Sequence, residues 1–331
     1  MDPIDRPPTK PRPARFAEGF GQRFILTVDT EEEFDWSKPI TREEHGLDHV
    51  ASLAKFQQFC AGHGVAPIYL IDWPIAQSAL AASILKPALD AGEAEVGVQL
   101  HPWVNPPFDE EVTERNSFAR NLPPELERAK LLALRDAIEE NFGHTPLIYR
   151  AGRYGAGAST PQILSEAGIA IDSSARSRFN YSATGGPDYT GHPLVPYWLD
   201  DDRELLELPL TTVFWGMLRQ LGDGLFPLFW RAPRLRGLAS KLGLLERIAL
   251  TPEGIPIEDA IKGADIAIDL GLPVLNFSFH SPSLALGYTP YVQDEADLDR
   301  LYEWWRRIFA YLDQRGVRPT GVAGIMDAVI R

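Results

Sequence analysis

Short apolar runs alternate with longer periodic segments almost to the C-terminus of this chain. The runs at 24–28, 67–71, 95–100, 147–149, 169–171, 205–208, 274–279 and 319–323 read as strands, because they are dense in β-branched, Leu and aromatic residues. Between them, apolar positions recur at helical spacing over 47–62, 75–91, 124–141, 160–167, 257–270 and 295–314, several closed by a glycine. Strand and helix in alternation imply a parallel sheet of βαβ units, hence an α/β fold, either a barrel or a doubly wound sheet. Two stretches break the rhythm. Residues 176–204 are rich in Gly, Pro and aromatics and read as a long loop, and 214–250 carries a Leu-rich helical pattern with no strand; both are expected to cap one end of a barrel. Residues 1–19 are proline-rich and read as a disordered tail, leaving 20–331 as one barrel domain with 176–250 as a loop and helical capping insertion.

Composition narrows the class without changing the fold. The 331 residues are 44% hydrophobic and 24% charged, as in an ordinary globular protein with one large core. The formal charge of −14 argues against nucleic acid or an anionic membrane surface as a partner. The modest basic stretch Arg231, Arg234, Arg236 and Lys241 reads as a solvated helix face. The single cysteine, Cys60, falls in the apolar run of Leu53, Phe56 and Phe59 and is expected in the core. With no apolar leader pattern at the start, a cytoplasmic location is the expectation, with no membrane insertion.

In parallel β/α architectures the ligand site gathers at the carboxyl ends of the strands, so the residues just after each run carry the functional information. In order these are Asp29-Thr30-Glu31-Glu32-Glu33, Asp72-Trp73, His101-Pro102-Trp103-Val104-Asn105, Arg150-Ala151-Gly152-Arg153-Tyr154, Asp172-Ser173-Ser174 and His280-Ser281. A purely structural barrel needs few titratable groups there, whereas hydrolysis of an acyl or amide bond needs a base, an acid, a charge that positions them and often a metal. Trp36, Trp73 and Trp103 follow strand ends and are candidate stacking faces for a sugar, with Asp72, Arg153 and Asp172 as further substrate contacts. His45 and His49 read as surface residues at a helix start, and the pair Trp304 and Trp305 as outer helix packing.

Taken in order, the segments VDTEEEFDW, GVQLHPWVNPPF, YRAGRYG, IDSS and FSFHSPS resemble the polysaccharide deacetylases of carbohydrate esterase family four (the NodB-homology superfamily), most closely their WalW-like branch, over 22–325. The resemblance implies a distorted (β/α)7–8 barrel and metal-assisted removal of acetyl groups from N-acetylated sugars. It implies Asp29 as catalytic base, Arg150 holding that base charged, the Tyr154 backbone N–H facing an oxyanion, and His280 as general acid, its ring oriented by Ser281 or Asp172. For the metal it implies Glu31, His101 and Asn105, with zinc as the expected ion. Thr30 stands where the family places an aspartate and Asn105 where it places a second histidine, so three arrangements stay open: zinc on Glu31 and His101, a harder cation that includes Asn105, or no metal. Asp72 is a substitute ligand, and Glu32 and Glu33 are expected to point elsewhere. The expected function is a deacetylase acting on a C–N bond in an N-acetylated sugar of a bacterial surface polysaccharide or its precursor. The alternatives are a hydrolase of small cyclic amides or imides and a non-catalytic sugar-binding barrel that has lost its metal.

Overall fold

Among the described residues, seven parallel strands form the frame: β1 (Arg23–Thr30), β2 (Ile68–Ile71), β3 (Glu95–Leu100), β4 (Ile148–Ala151), β5 (Ile171–Asp172), β6 (Leu206–Glu207) and β7 (Val274–His280). This computed structural model describes residues 1–35, 37–230 and 233–331. The strands pair in the order β7-β1-β2-β3-β4-β5-β6, with the short strand Tyr197–Trp198 antiparallel on β6 and Arg318–Pro319 beside the start of β1. The sheet curls until its ends meet. The Asn276 N–H on β7 donates to Thr211 Oγ1 at 2.9 Å, and Ser278 N–H donates to the Leu250 carbonyl at 3.2 Å. The result is the distorted β/α barrel that the resemblance implies, one of the two architectures the alternation of elements left open.

Helices α1 (Leu53–Gly62), α2 (Ala79–Asp90), α3 (Pro124–Phe142), α4 (Thr160–Glu166), α5 (Ile257–Asp269) and α6 (Glu295–Gln314) cover the outside. Each buries an apolar stripe against the outward residues of the strands, such as Phe24, Leu26 and Val28 of β1. In α6 that stripe includes Trp304, Trp305 and Phe309, and Trp305 packs on Phe56 and Phe279, as the pattern predicts. Cys60 is buried in the same layer.

The inward positions divide into two layers. The floor is apolar, made by Ile25, Ile68, Leu70, Ile148, Ile171, Leu206, Leu208 and Val274, and closed below by Trp198 with Val322 and Ile325 of α7 (Val322–Ala328). Above it the same strands turn polar: Thr27 and Asp29, Gln99, Arg150, Ser173, Asn276 and Ser278. Truncating a floor residue such as Ile148 to Ala would cost about 2–5 kcal/mol, since the neighbours are locked by the barrel and cannot collapse inward.

Three expectations need correction. Residues 1–19 are ordered along the barrel: Ile4 is fully buried, Asp2 N–H donates to the Leu199 carbonyl at 2.7 Å, and Arg15–Phe16 pairs with Val329–Ile330. Proline removes backbone donors but leaves an extended chain free to lie on an edge. The 214–250 stretch begins and ends in a hairpin, Thr212–Trp215 with Glu246–Ala249, that carries the helices Gly222–Trp230 and Pro233–Lys241. Its base, at Thr211 and Leu250, fills the gap between β6 and β7. Residues 319–323 are mostly a turn into α7 rather than a strand. Arg231, in the basic stretch, lies outside the described residues.

Candidate active site

Register alone brings the leading candidates together. β7 pairs with β1 so that His280 lies opposite Asp29, and β3 pairs with β4 so that Gln99 lies opposite Arg150. All four side chains face a cavity of about 740 Å³ at the mouth, along with Glu31, His101, Trp103, Arg153, Tyr154 and Glu253.

Arg150 is fully buried and held from several sides. Its Nη1 pairs with Asp29 Oδ1, Nη2 donates to Thr27 Oγ1 at 2.9 Å and Ser173 Oγ at 3.2 Å, and Nε donates to the Ser173 carbonyl at 3.0 Å. Thr27 and Ser173 are in turn tied to Asn276. The polar layer is thus a hydrogen-bonded platform that fixes one guanidinium under one carboxylate, and a buried ion pair with its remaining donors satisfied is the arrangement that endures.

His280 Nε2 stands 3.7 Å from Asp29 Oδ2, while its Nδ1 meets Glu253 Oε2 at 2.6 Å. Glu253 also accepts the His280 backbone N–H at 3.1 Å and the Ser283 hydroxyl at 2.7 Å. Burial by itself would lower the imidazole pKa, but the carboxylates of Glu253, Glu31 and Asp29 outweigh it and hold the ring's pKa at about 10. The charged form of the ring is thereby favoured, with Nδ1 locked on Glu253 and Nε2 facing Asp29. The orienting group is Glu253. Ser281 bonds His49 instead, and Asp172 bonds Ser174.

His101 sits among carboxylates. Nδ1 meets Glu32 Oε2 at 2.8 Å, Nε2 lies 3.3 Å from Glu31 Oε2, and Trp103 stacks on the ring with centroids 4.3 Å apart. Against burial, Glu32 and Glu31 raise this imidazole well above its ordinary range. Burial would also raise Glu32, yet the adjacent His101 and Asp72 keep it at about 2; Asp72, buried beside Glu32, is pushed well up. This corner favours positive charge, whether a proton on the ring or a cation in its place.

Two ligand sets are available to a metal. The ligand atoms of Glu32, Asp72 and His101 all lie within 4.8 Å of one another. Each carboxylate oxygen there already accepts an N–H: Glu32 from Trp103 and His101, Asp72 from Ile75 and Glu32. The set on the cavity side is Glu31, His101 Nε2 and Gln99, whose Nε2 is 3.1 Å from Glu31 Oε2 and whose Oε1 is buried without a partner. Rotating that amide would offer a cation the orphaned oxygen, so these residues fit a divalent ion, with Glu32 steering His101 from behind. A Cβ on Gly152 would stand 2.4 Å from His101 Cδ2, which is why the ring needs glycine beside it.

Several sequence candidates lie elsewhere. Asn105 commits its Nδ2 to the carbonyls of Pro106 and Lys130 and does not line the cavity. Thr30 bonds its own strand at the Val28 carbonyl. Asp72 caps the short helix Trp73–Ala76, and Trp73 packs on the outer core. Asp172 points outward from β5 because Ser173 takes the inward position, and it lies opposite Glu207 of β6. Glu32, expected to point away, approaches His101. His49 is buried, joining Glu33 at 2.8 Å to Ser281 at 2.8 Å, and Ser281 Oγ accepts the Glu31 backbone N–H at 3.3 Å. Trp36 lies outside the described residues. Arg153 and Tyr154 line the cavity in left-handed conformations, φ 55° and 60°, a costly backbone for residues with a Cβ that collects at functional sites.

Gln99 and Glu253 were missed. Gln99 shares the inward face of β3 with His101 at a spacing of two, a signal present in the sequence. Glu253 follows the insertion and no periodicity points to it.

No family model and no curated protein matches the chain. Among solved structures it is similar to a provisionally assigned polysaccharide deacetylase from Mycobacterium smegmatis, at 17% identity and a TM-score of 0.49 over 96% of this chain and 98% of that one. It is also similar to a CE4 family pseudoenzyme from Bacillus anthracis, at 9% identity and a TM-score of 0.46 over 92% of this chain and 64% of that one. For the Bc1960 peptidoglycan N-acetylglucosamine deacetylase the figures are 10%, 0.42, 93% and 89%.

Proposed function

We propose that the protein is a metal-dependent hydrolase of a C–N bond, a deacetylase of an N-acetylated sugar from a bacterial surface polysaccharide or its precursor. The observation that carries this reading is the facing pair of Asp29 and His280, each locked from behind by an opposite charge, Arg150 and Glu253.

The pair divides the proton work. Arg150 takes Oδ1 of Asp29, which leaves Oδ2, on the side of His280, to accept a proton from water in the cavity. His280, charged through Glu253, donates from Nε2 to the nitrogen of the departing amine. Because the two atoms are 3.7 Å apart, both transfers serve one reacting centre. The Tyr154 backbone N–H, in the left-handed turn of the cavity wall, is the assigned donor to the oxyanion. Glu31, His101 and Gln99 would hold the divalent ion, zinc by this donor set, and such an ion supplies Lewis-acid polarisation of the amide carbonyl. Trp103 supports His101 and offers a wall to a sugar ring.

The test is acetate release from a panel of N-acetylated sugars, with the protein stripped by chelator and then reloaded with zinc, manganese or magnesium, alongside elemental analysis. Turnover that returns with one metal per chain supports the reading. Sugar binding with no acetate release under any metal would refute it.

A further inference from the structure

Charges on the cavity wall fall into pairs. Arg150 faces Asp29, His280 faces Glu253, His101 lies between Glu31 and Glu32, Arg153 reaches Glu114 at 3.5 Å, and Lys38 reaches Asp35 at 3.3 Å. Arg176 is the exception among the described residues. Its guanidinium lines the same cavity, yet no carboxylate lies within the 4.0 Å of an ion pair. Nη1 donates to the Tyr181 hydroxyl at 3.2 Å, the group lies over the rings of Phe179 and Tyr154 at 4.0 and 5.0 Å, and Nε is buried with no hydrogen-bond partner. Glu253 lies near enough to be felt by it but is spent on His280 and Ser283.

The backbone around Arg176 is pinned. Ala175 N–H donates to Glu207 at 2.9 Å, Ser174 is bonded to Asp172, and the Ser177 hydroxyl donates to the Pro193 carbonyl at 2.6 Å. Arg176 is half-buried, but its buried Nε–H is unmet, which is costly unless a ligand completes it, and a guanidinium held on aromatic faces is preorganised for a planar or tetrahedral oxyanion. The chain's net charge of −14 would repel an acidic ligand, so a local cation is what admits one.

We propose that Arg176 anchors an oxyanion group of the substrate, a carboxylate or a phosphate, so that the preferred sugar is acidic rather than neutral. The inference rests on reading the cavity as a sugar deacetylase site. Arg176 lines the same cavity as Asp29 and His280 and would bind one end of the substrate while they act on the other.

Calorimetric titration of the full chain with D-glucuronate, D-glucose 6-phosphate and D-glucose tests the anchor without any turnover. An acidic sugar should bind at least about tenfold more tightly than glucose, as expected for hydrogen bonds to a charged group. The acid that wins identifies the group, and inorganic phosphate alone should compete if it is phosphate. Arg176→Gln should cut the preference to less than about threefold, and Arg176→Lys should keep part of it. Wild-type protein that binds all three alike, or a folded Arg176→Gln that keeps the preference, overturns the proposal. Acetate release from N-acetylglucosamine and N-acetylglucosamine 6-phosphate separates the two readings. Equal rates on both would leave the deacetylase standing and remove the anchor's role in substrate choice. Selective acid binding with no acetate release from either would leave the anchor and remove the deacetylase.

Discussion

Replacing Glu253 by Gln removes one charge and little volume from the back of His280. In the wild type the imidazole's pKa is held at about 10 against an ordinary 6.5; at about 1.4 kcal/mol per pH unit the surroundings favour the charged ring by roughly 4–5 kcal/mol. Burial works against that charge, and Glu253 is the largest of the groups that overcome it, ahead of Glu31 and Asp29. Without the carboxylate, burial regains ground, and the pKa should fall from about 10 toward the ordinary range, held up only by Glu31 and Asp29. Because the folded-state value is raised, the stability gained from this pair is fully present below pH 6.5 and is lost as pH rises through about 10. Glu253→Gln should therefore flatten the pH dependence of stability over that window. NMR titration of the histidine ring protons, assigned with His280→Gln, reads the pKa directly, and the alkaline limb of the rate profile should move from near pH 10 to near neutrality. A wild-type His280 that titrates near 6.5, or one unmoved by Glu253→Gln, would rule out Glu253 as the group that holds the ring charged.

Gly152→Ala should displace His101, since the added methyl meets both its ring and the Leu100 carbonyl, at 2.4 and 2.6 Å; the expected cost is about 1–3 kcal/mol, read by urea unfolding, with metal affinity reduced in parallel. Arg150→Met removes the buried guanidinium paired with Asp29 and leaves Thr27 and Ser173 without their donor; it should destabilise by about 3–5 kcal/mol, read by urea unfolding. Burial raises Asp172 to about 7, so its favourable contribution is complete below pH 4 and lost as pH rises through 7, at up to about 1.4 kcal/mol per pH unit. Asp172→Asn should lessen that slope in urea melts, Glu207 opposite it being raised by burial as well, and make the variant the more stable protein at pH 8.

How much of this was legible in the chain depends on the element. His280 and Asp29 end long strands with strict alternation, so their inward direction follows from Phe277 and Phe279, or Leu26 and Val28, turning outward. Asp172 lies on a strand of two residues, too short for parity to be counted, and the neighbouring Ser173 took the inward place. Gln99 had the right parity but carries no charge to draw attention. Glu253 reaches His280 only through the fold of an insertion whose ends meet in a hairpin, and such long-range closure leaves no local periodicity. His49 looked superficial because its burial depends on Glu33 and Ser281 arriving from distant loops. The N-terminal tail was misjudged by composition, since proline density suits an edge-bound extended segment as well as a disordered one.

Central to the proposed hydrolysis is Asp29 taking a proton while an acetamido group is cleaved. Steady-state acetate release by the metal-loaded wild type and by Asp29→Asn, on whichever N-acetylated sugar the wild type turns over fastest, measures this directly. A loss of at least about a hundredfold in kcat with sugar binding retained is expected. Asp29→Asn that releases acetate at the wild-type rate would contradict it.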